Sequence, residues 1–288
     1  MALSEQKCKN LFLKKIQNIT SPVGDVIWEA NPVQLTCCIV EPRIMMELRG
    51  VLNNIAKIYK NQAVGLVIYH GTQNETFVKE IINGWENVIL RNLNVVNLKI
   101  SEYSNLLTQK DFYKSFNSSH VLIFQTDSYI FSPIPPIYYT FDYIGAPWSF
   151  PYGNGCGNGG ISLRNIKTMI NVSTENGVTF AEDIYFSQQN IKVCNNKTIH
   201  EKFSVETIFN PSPICCHNPY WFIKNKLKQL ELLKLQIKQQ LEQQLKFKQP
   251  RKQQLKQQLQ LKKQQLEQLK KQLQNQLQKY LTLINNIT

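Results

Sequence analysis

The sequence lacks the long apolar runs that would place the chain in or across a membrane. Its first twenty residues contain no apolar core of signal-peptide length, and no stretch approaches the ~18 apolar residues of a membrane span. We therefore expect no transmembrane segment and a cytoplasmic chain. The Asn- and Lys-rich composition is typical of an AT-rich genome, such as that of a protist or a large virus. A viral source would place the chain in the host cytoplasm or the virion.

The cysteines are not arranged as they are in disulfide-rich or zinc-binding folds. The seven cysteines include two adjacent pairs, Cys37–Cys38 and Cys215–Cys216, and their number is odd. Such a pattern is no disulfide framework, so a reducing compartment is expected. The cysteines also lack any CxxC spacing, which argues against a structural zinc site.

The positive charge of the chain is concentrated at one end. Residues 1–223 carry 18 basic and 17 acidic side chains, whereas residues 224–288 carry 15 basic and 3 acidic ones. A basic segment can bind a polyanion by releasing counterions. The tail contains only two aromatic residues for stacking on bases, Phe247 and Tyr280. A solvated helix face is therefore favoured over a nucleic-acid partner.

From residue 224 onward the sequence is almost entirely Lys, Gln and Leu. It contains no Gly, and Pro250 is its single helix breaker. Near the C-terminus the apolar residues follow a coiled-coil-like helical spacing: Leu266, Leu269, Leu273, Leu277 and Tyr280. The tail therefore predicts two helices, an oligomerising stalk that would let the chain self-associate, or a partly ordered low-complexity segment.

The central part of the chain alternates between two hydrophobic periods. Continuous apolar runs at 35–40, 64–69 and 120–125 predict buried strands, and helical spacing follows at 44–59 and 103–116. This order predicts βαβ units in a mixed, mostly parallel sheet with helices on both faces. We divide the chain into a lead-in (1–33), an α/β domain (34–223) and an all-helical tail (224–288). Ligands should bind beyond the carboxyl ends of the strands.

The second half of the domain has a different texture. Residues 152–160 contain five glycines and predict a loop. We expect short helices at 162–172 and 181–189, a last strand within 203–209 and a closing loop over 211–221.

Asp127 is the sharpest candidate for chemistry. It follows the apolar strand that ends near Gln125, so a carboxylate lies where this fold class binds ligands. A divalent cation such as Mg²⁺ or Mn²⁺ would compensate that charge and neutralise a diphosphate. A turn or helix-capping Asp is the plainer alternative, because Asp is common after strands.

Glycines let the backbone approach a ligand closely, and Gly159 and Gly160 precede the run Ile161–Arg164. If a helix starts there, its free N–H groups could bind an anion or a sugar hydroxyl. The alternative is a mobile surface loop.

Paired acids stand at the start of the helix predicted for 181–189. Glu182 and Asp183 there would interact favourably with the helix dipole, which is the plain explanation. In the functional alternative, one of them acts as a general base that accepts a proton from an acceptor hydroxyl.

His217, one of four histidines, lies near the end of the domain and could reach a metal. A lone His is more often a solvated or core residue.

Several multi-residue strings occur in the order found in one family. They are VLIFQTDSYIF, DYIGAPW, GNGGISLRN, EDIYFS, FSVE and HNPYW, preceded by VEPR at Val40–Arg43. Over roughly residues 33–222 the chain resembles the DUF5672 family of glycosyltransferase-like proteins with the GT-A fold. The resemblance does not extend to the tail.

This resemblance implies a transferase that moves a sugar from a nucleotide-sugar donor to a carbohydrate or other hydroxyl acceptor. Asp127 would occupy the DXD motif and hold Mn²⁺ or Mg²⁺ against the diphosphate, and His217 would complete the metal site. Asp183 would act as the base, with Glu182 beside it in contact with acceptor or donor.

The resemblance also implies roles for residues that shape the donor site. Gly159 and Gly160 would form the wall for donor or acceptor, and Trp148 would offer a face for a sugar ring. Gln125 replaces the first acid of the DXD motif. Metal dependence could therefore be weak or absent, and a non-catalytic carbohydrate-binding or scaffold protein that oligomerises through its tail is the alternative function.

Overall fold

The computed structural model describes residues 4–149, 153–223, 231–239 and 251–287, with side chains in the last range from residue 257 onward. Strands and helices alternate over most of the chain. The strands are β1 (Val26–Ile27), β2 (Leu35–Val40), β3 (Val64–His70), β4 (Trp85–Glu86), β5 (Val88–Asn92), β6 (His120–Phe124), β7 (Ser128–Ile130), β8 (Tyr143–Ala146), β9 (Asn158–Asn165), β10 (Ser204–Val205) and β11 (Cys215–His217).

The α-helices with described bounds are α1 (Glu5–Gln17), α2 (Met46–Tyr59), α3 (Glu75–Ile81), α4 (Ile100–Leu107), α5 (Lys110–Lys114), α6 (Ile166–Val172), α7 (Glu182–Ser187), α8 (Lys197–Phe203) and α9 (Arg251–Asn285). A 3-10 helix spans Pro136–Thr140. None of the helices among the described residues combines the length and the apolar content that a bilayer span requires.

The central sheet has six strands in the order β5-β3-β2-β6-β9-β8. The first four strands pair in parallel, and β9 runs antiparallel to both β6 and β8. The predicted mixed, mostly parallel sheet is therefore confirmed. Parallel strands need crossover connections, which α2, α3 and α4–α5 supply.

Alternate residues of the inner strands feed two cores, one on each face of the sheet. In β6, Leu122 and Phe124 pack with α1 and α2, whereas Val121 and Ile123 pack with α4 to α7. This division follows from the two-residue period of a strand, and it explains why the runs are apolar throughout. Helices cover both faces, as predicted.

The segment predicted as a lead-in contains a helix that belongs to the first core. Cys8, Phe12 and Ile16 recur at four-residue spacing on α1, and all three are fully buried. Ser4 caps the helix by accepting a hydrogen bond from the backbone N–H of Lys7. The predicted lead-in therefore contains α1, which packs against α2 through a regular apolar stripe.

The glycine-rich segment leads into a strand, which corrects two predictions. Residues 153–157 form a loop, but β9 already begins at Asn158, and the helix starts at Ile166 instead of residue 162. The run Ile161–Arg164 alternates between the two faces of the sheet and pairs with β6 and β8. Its backbone N–H groups therefore serve the ladder, and no helix start is available there to bind an anion.

A second sheet joins two distant parts of the chain. Its order is β10-β11-β7, and β11 runs antiparallel to β7 with His217 opposite Ser128. The expected last strand is only Ser204–Val205, and the expected closing loop contains β11. This pairing brings the end of β11 beside the turn between β6 and β7.

The final turns of α9 pack against the rest of the chain. Tyr280 is fully buried, donates a hydrogen bond to the carbonyl oxygen of Cys8 at 2.6 Å, and meets the ring of Phe222 edge-on. Residues 231–239 and α9 are helical, as predicted for the tail, and the break predicted at Pro250 lies outside the described residues. The division of the chain at residue 223 stays a prediction.

Candidate functional site

A cavity of about 330 Å³ opens beyond the carboxyl ends of β2 and β6. It lies at the edge where parallel α/β sheets bind their ligands. Its lining residues include Glu41, Arg43, Tyr103, Gln125, Asp127, Asn158, Gly159, Gly160, Glu182, Asp183 and His217. Of the eight residues predicted for the site, only Trp148 is not among the described residues that line it.

Asp127 and His217 lie against each other at the edge of this cavity. Asp127 Oδ1 lies 3.3 Å from His217 Nε2, although ninety residues separate them in sequence. The antiparallel pairing of β7 with β11 accounts for the contact, and the backbone N–H of Asn218 donates to the carbonyl oxygen of Asp127 at 3.1 Å. The Asp127 side chain remains 28% exposed toward the cavity, whereas His217 is buried.

The carboxylates around His217 and the burial of its ring act on its pKa in opposite directions. Burial alone would lower the pKa of His217, but the Asp127 and Glu206 carboxylates outweigh it and raise that pKa to about 10. Burial likewise works to raise the pKa of Asp127, yet His217 and Asn218 hold it below its ordinary value. The two neighbouring carboxylates therefore favour the charged form of the His217 imidazole.

Glu206 lies on the other side of the His217 ring. Its Oε1 atom is 3.2 Å from His217 Nδ1, and its side chain is only 4% exposed. The alignment falls short of a regular hydrogen bond, so the interaction is mainly electrostatic. A carboxylate at the second ring nitrogen orients metal-binding histidines and raises their basicity. Sequence reasoning missed Glu206, although it ends the string FSVE.

The geometry of the pair fits two ligands of one divalent cation. Oxygen and nitrogen ligands lie about 2.1 Å from such an ion, so neighbouring octahedral ligands are roughly 3.0 Å apart. The observed 3.3 Å is close to that separation. Among the described residues no group of three or more His, Cys, Asp or Glu side chains could hold an ion. A cation bound here would therefore take most of its ligands from water or from a bound substrate.

The two glycines make room for side chains of the site. A β-carbon on Gly159 would lie 2.0 Å from Glu182 Oε1, and one on Gly160 would lie 2.2 Å from His217 Nε2. Gly160 is itself fixed, because its N–H donates to Asn158 Oδ1 at 2.7 Å. Both glycines line the cavity, and their first structural role is to admit the carboxylate and the imidazole.

Asp183 faces the same cavity from the first turn of α7. Its Oδ2 atom accepts a hydrogen bond from the Gly159 N–H at 3.2 Å, and its Oδ1 atom accepts one from the Ile184 N–H at 2.8 Å. The side chain is partly exposed and retains free lone pairs toward the cavity. A hydroxyl group bound in the cavity could therefore donate to it.

Glu182 is committed to a buried partner. Its Oε1 atom accepts from Arg164 Nη2 at 3.1 Å, and neither side chain has appreciable exposure. Burial raises the pKa of Glu182, while Arg164 opposes that rise. Arg164 also donates to Ser162 Oγ and to the hydroxyl of Tyr113. Glu182 therefore lines the cavity while its carboxylate supports the buried Arg164, and its contact with acceptor or donor stays a prediction.

Gln125 and Trp148 have different positions relative to the site. Gln125 lines the cavity, and its backbone N–H donates to Ser128 Oγ at 3.3 Å. Trp148 is half-buried and packs against the core formed with α4 to α7. Its role as a platform for a sugar ring stays a prediction.

One protein-family model matches the part of the chain that contains Asp127 and His217. Residues 88–217 match the family model of DUF5672, described as a protein of unknown function. The DUF5672 segment runs from β5 to β11 and contains both Asp127 and His217, but it leaves out β2 and Arg43. The predicted resemblance to DUF5672 is thereby confirmed over that segment. No curated protein matches the chain.

Proposed function

We propose that the chain transfers a sugar from a nucleotide-sugar donor to a hydroxyl acceptor, with a divalent cation held by Asp127 and His217. The observation that carries the proposal is the 3.3 Å approach of Asp127 Oδ1 to His217 Nε2 at the ligand-binding edge of the sheet. Two protein ligands leave most coordination positions to water and donor phosphates, as in Mg²⁺ sites of phosphoryl and nucleotide enzymes.

The protein's own residues would prepare the site as follows. To hold a cation, His217 would have to be neutral at Nε2, with any proton there released to solvent, and Glu206 would keep the ring oriented through Nδ1. Bound Mn²⁺ or Mg²⁺ would neutralise the diphosphate and assist its departure. Asp183 would accept the proton of the acceptor hydroxyl, because its carboxylate lines the same cavity while Gly159 and Ile184 hold it in place.

A thermal-shift screen of nucleotide sugars, with and without Mn²⁺, tests the proposal. A donor at a hundred times its Kd should stabilise the native state by about 2.7 kcal/mol, visible as a higher Tm. Donor hydrolysis or transfer should then fall at least tenfold in Asp127→Asn and in Asp183→Asn, and remain in Lys79→Gln on the surface of α3. Unchanged turnover in both cavity variants would remove this site.

A non-catalytic carbohydrate-binding module is the second candidate, and Gln125 favours it. A neutral amide at this position supplies no charge to a cation. This function predicts sugar or nucleotide-sugar binding without Mn²⁺ and without turnover. Equilibrium dialysis of a labelled donor, followed by product analysis of the same sample, separates the two candidates.

A further inference from the structure

One cationic side chain reaches the cavity from the segment that follows β2, outside the residues that match DUF5672. Arg43 is the single Lys or Arg among the described residues that line the cavity. Its side chain is 51% exposed, whereas that of its partner Glu41 is only 6% exposed. Surface cations are usually mobile, so a guanidinium tied to a buried carboxylate at a cavity mouth calls for a separate explanation.

Glu41 holds the guanidinium in one plane. Arg43 Nε donates to Glu41 Oε1 at 2.8 Å, Arg43 Nη2 donates to Oε2 at 2.7 Å, and the Arg43 backbone N–H also donates to Oε1 at 3.0 Å. This side-on, bidentate pairing fixes the direction of the fork. A guanidinium has five N–H donors, so three remain for a ligand.

The backbone under Arg43 is fixed as well. Asn74 is fully buried, and its Nδ2 atom donates to the carbonyl oxygens of Glu41 at 2.8 Å and Arg43 at 2.9 Å. Its Oδ1 atom accepts from the N–H of Gly71 at 2.8 Å. One side chain thus ties together the segments that follow β2 and β3. A group anchored in this way loses little conformational entropy when it binds a ligand.

The guanidinium of Arg43 interacts electrostatically with the carboxylate of Asp127. The hydrogen bond to Glu41 is the main cause that raises the pKa of Arg43; burial opposes it, and the Asp127 and Glu47 carboxylates add to it. The guanidinium therefore stays charged at every physiological pH. The cavity combines a fixed cation with the carboxylate–imidazole pair.

We infer that Arg43, clamped by Glu41, is the residue that binds a phosphate of the donor's diphosphate, in the cavity that Asp127 and His217 also line. The inference rests on the proposed nucleotide-sugar donor for its physiological ligand. Its physical basis is independent of that donor, because planar guanidinium forks match phosphate oxygens in pairs.

Calorimetric titration of the full chain with inorganic pyrophosphate, and with uridine and guanosine diphosphates, tests the inference directly. The variant is Arg43→Gln, and the matched control is Lys79→Gln, which removes a similarly paired cation from the surface of α3. Since Arg43→Gln leaves Glu41 buried without its partner, a double variant, Glu41→Gln with Arg43→Gln, serves if the single one does not fold. Charge-assisted hydrogen bonds predict a roughly ten- to hundredfold loss of pyrophosphate affinity, against less than twofold for the control.

The outcomes separate this inference from the proposed function. Loss of pyrophosphate binding in the Arg43 variants supports the inference, even if no nucleoside diphosphate binds and the nucleotide-sugar proposal fails. Nucleotide-sugar turnover with undiminished pyrophosphate and nucleoside diphosphate affinity in Arg43→Gln overturns the inference and leaves the proposed function standing. In that case Arg43 serves only to neutralise Glu41. Absence of pyrophosphate binding to the unmodified chain also overturns it.

Discussion

The imidazole of His217 lies directly against Gly160, where a β-carbon would come within 2.2 Å of its Cε1 and Nε2 atoms. Gly160 does not have a positive φ, so backbone conformation does not explain the glycine. Close packing of the ring does, because real β-carbons do not approach a neighbour within 3.0 Å. The position of His217 thus depends on the absence of a single methyl group.

We expect Gly160→Ala to displace His217 and weaken Mn²⁺ binding at least tenfold. The increase in Tm that Mn²⁺ gives the unmodified chain measures this effect. Gly159→Ala is the matched control, since its β-carbon would strike Glu182 instead of the imidazole. That control should lose stability and keep its response to Mn²⁺. A normal Mn²⁺ response in Gly160→Ala would show that His217 is not a ligand.

Glu182 should matter for stability before it matters for chemistry. Removing it leaves the fully buried guanidinium of Arg164 without its carboxylate, and breaking a buried pair typically costs 3–5 kcal/mol. Urea denaturation of Glu182→Ala should show a loss on that order. Glu175→Ala, which removes the 66% exposed partner of Lys110, should cost less than about 1 kcal/mol. Equal losses in the two variants would contradict this supporting role.

The raised pKa of His217 predicts a fall in stability at alkaline pH when no metal is present. Its ordinary value is 6.5 and its value in the fold is about 10, so its stabilising contribution is complete below pH 6.5 and is lost toward pH 10. Between pH 6.5 and 8.5 the free energy of unfolding in EDTA should fall by about 2 kcal/mol more in the unmodified chain than in His217→Gln.

His120 and His200 do not produce the same signal. Burial lowers the pKa of His120 and His200, so these two groups act on stability below pH 6.5. Glu206→Gln should reduce the alkaline loss, because it removes one of the carboxylates that hold the proton on His217. Parallel pH profiles for the unmodified chain and His217→Gln would refute the assignment of this proton.

The sequence was informative wherever one local pattern decided the structure. The apolar runs at β2, β3 and β6 predicted buried parallel strands, and Asp127 followed from its place after β6. The run Ile161–Arg164 misled because a few apolar residues fit a helix or a strand, and its pairing with β6 and β8 decided the outcome.

Long-range partners could not be predicted from local patterns. The contact of Glu206 with His217 depends on how β11 aligns with β7. The backbone position of Arg43 depends on the side-chain amide of Asn74. Both are single side chains in segments without periodicity. Only the string FSVE pointed to Glu206, and it gave the residue no chemical role.

The leucine spacing of the tail predicted an apolar helix face but did not identify what packs against it. At its C-terminal end the partner is the chain's own first core, where Leu283 and Ile284 are buried with α1. A coiled-coil-like spacing predicts that a face will be covered, and it does not say by which chain. Self-association through the remaining tail stays a prediction.

Docking of α9 makes the end of the tail part of the folded core. Leu283→Ala should therefore cost about 2–5 kcal/mol of the free energy of unfolding, as for other buried leucines. Leu261→Ala on the same helix is the matched control: Leu261 is 58% exposed, so its loss should change stability by less than about 0.5 kcal/mol.

Tyr280→Phe should cost about 1 kcal/mol, because it removes the hydrogen bond to Cys8. Urea denaturation at several protein concentrations separates the two origins of the effect. Docking within one chain gives concentration-independent midpoints, whereas a midpoint that rises with concentration would assign Leu283 to an interface between copies.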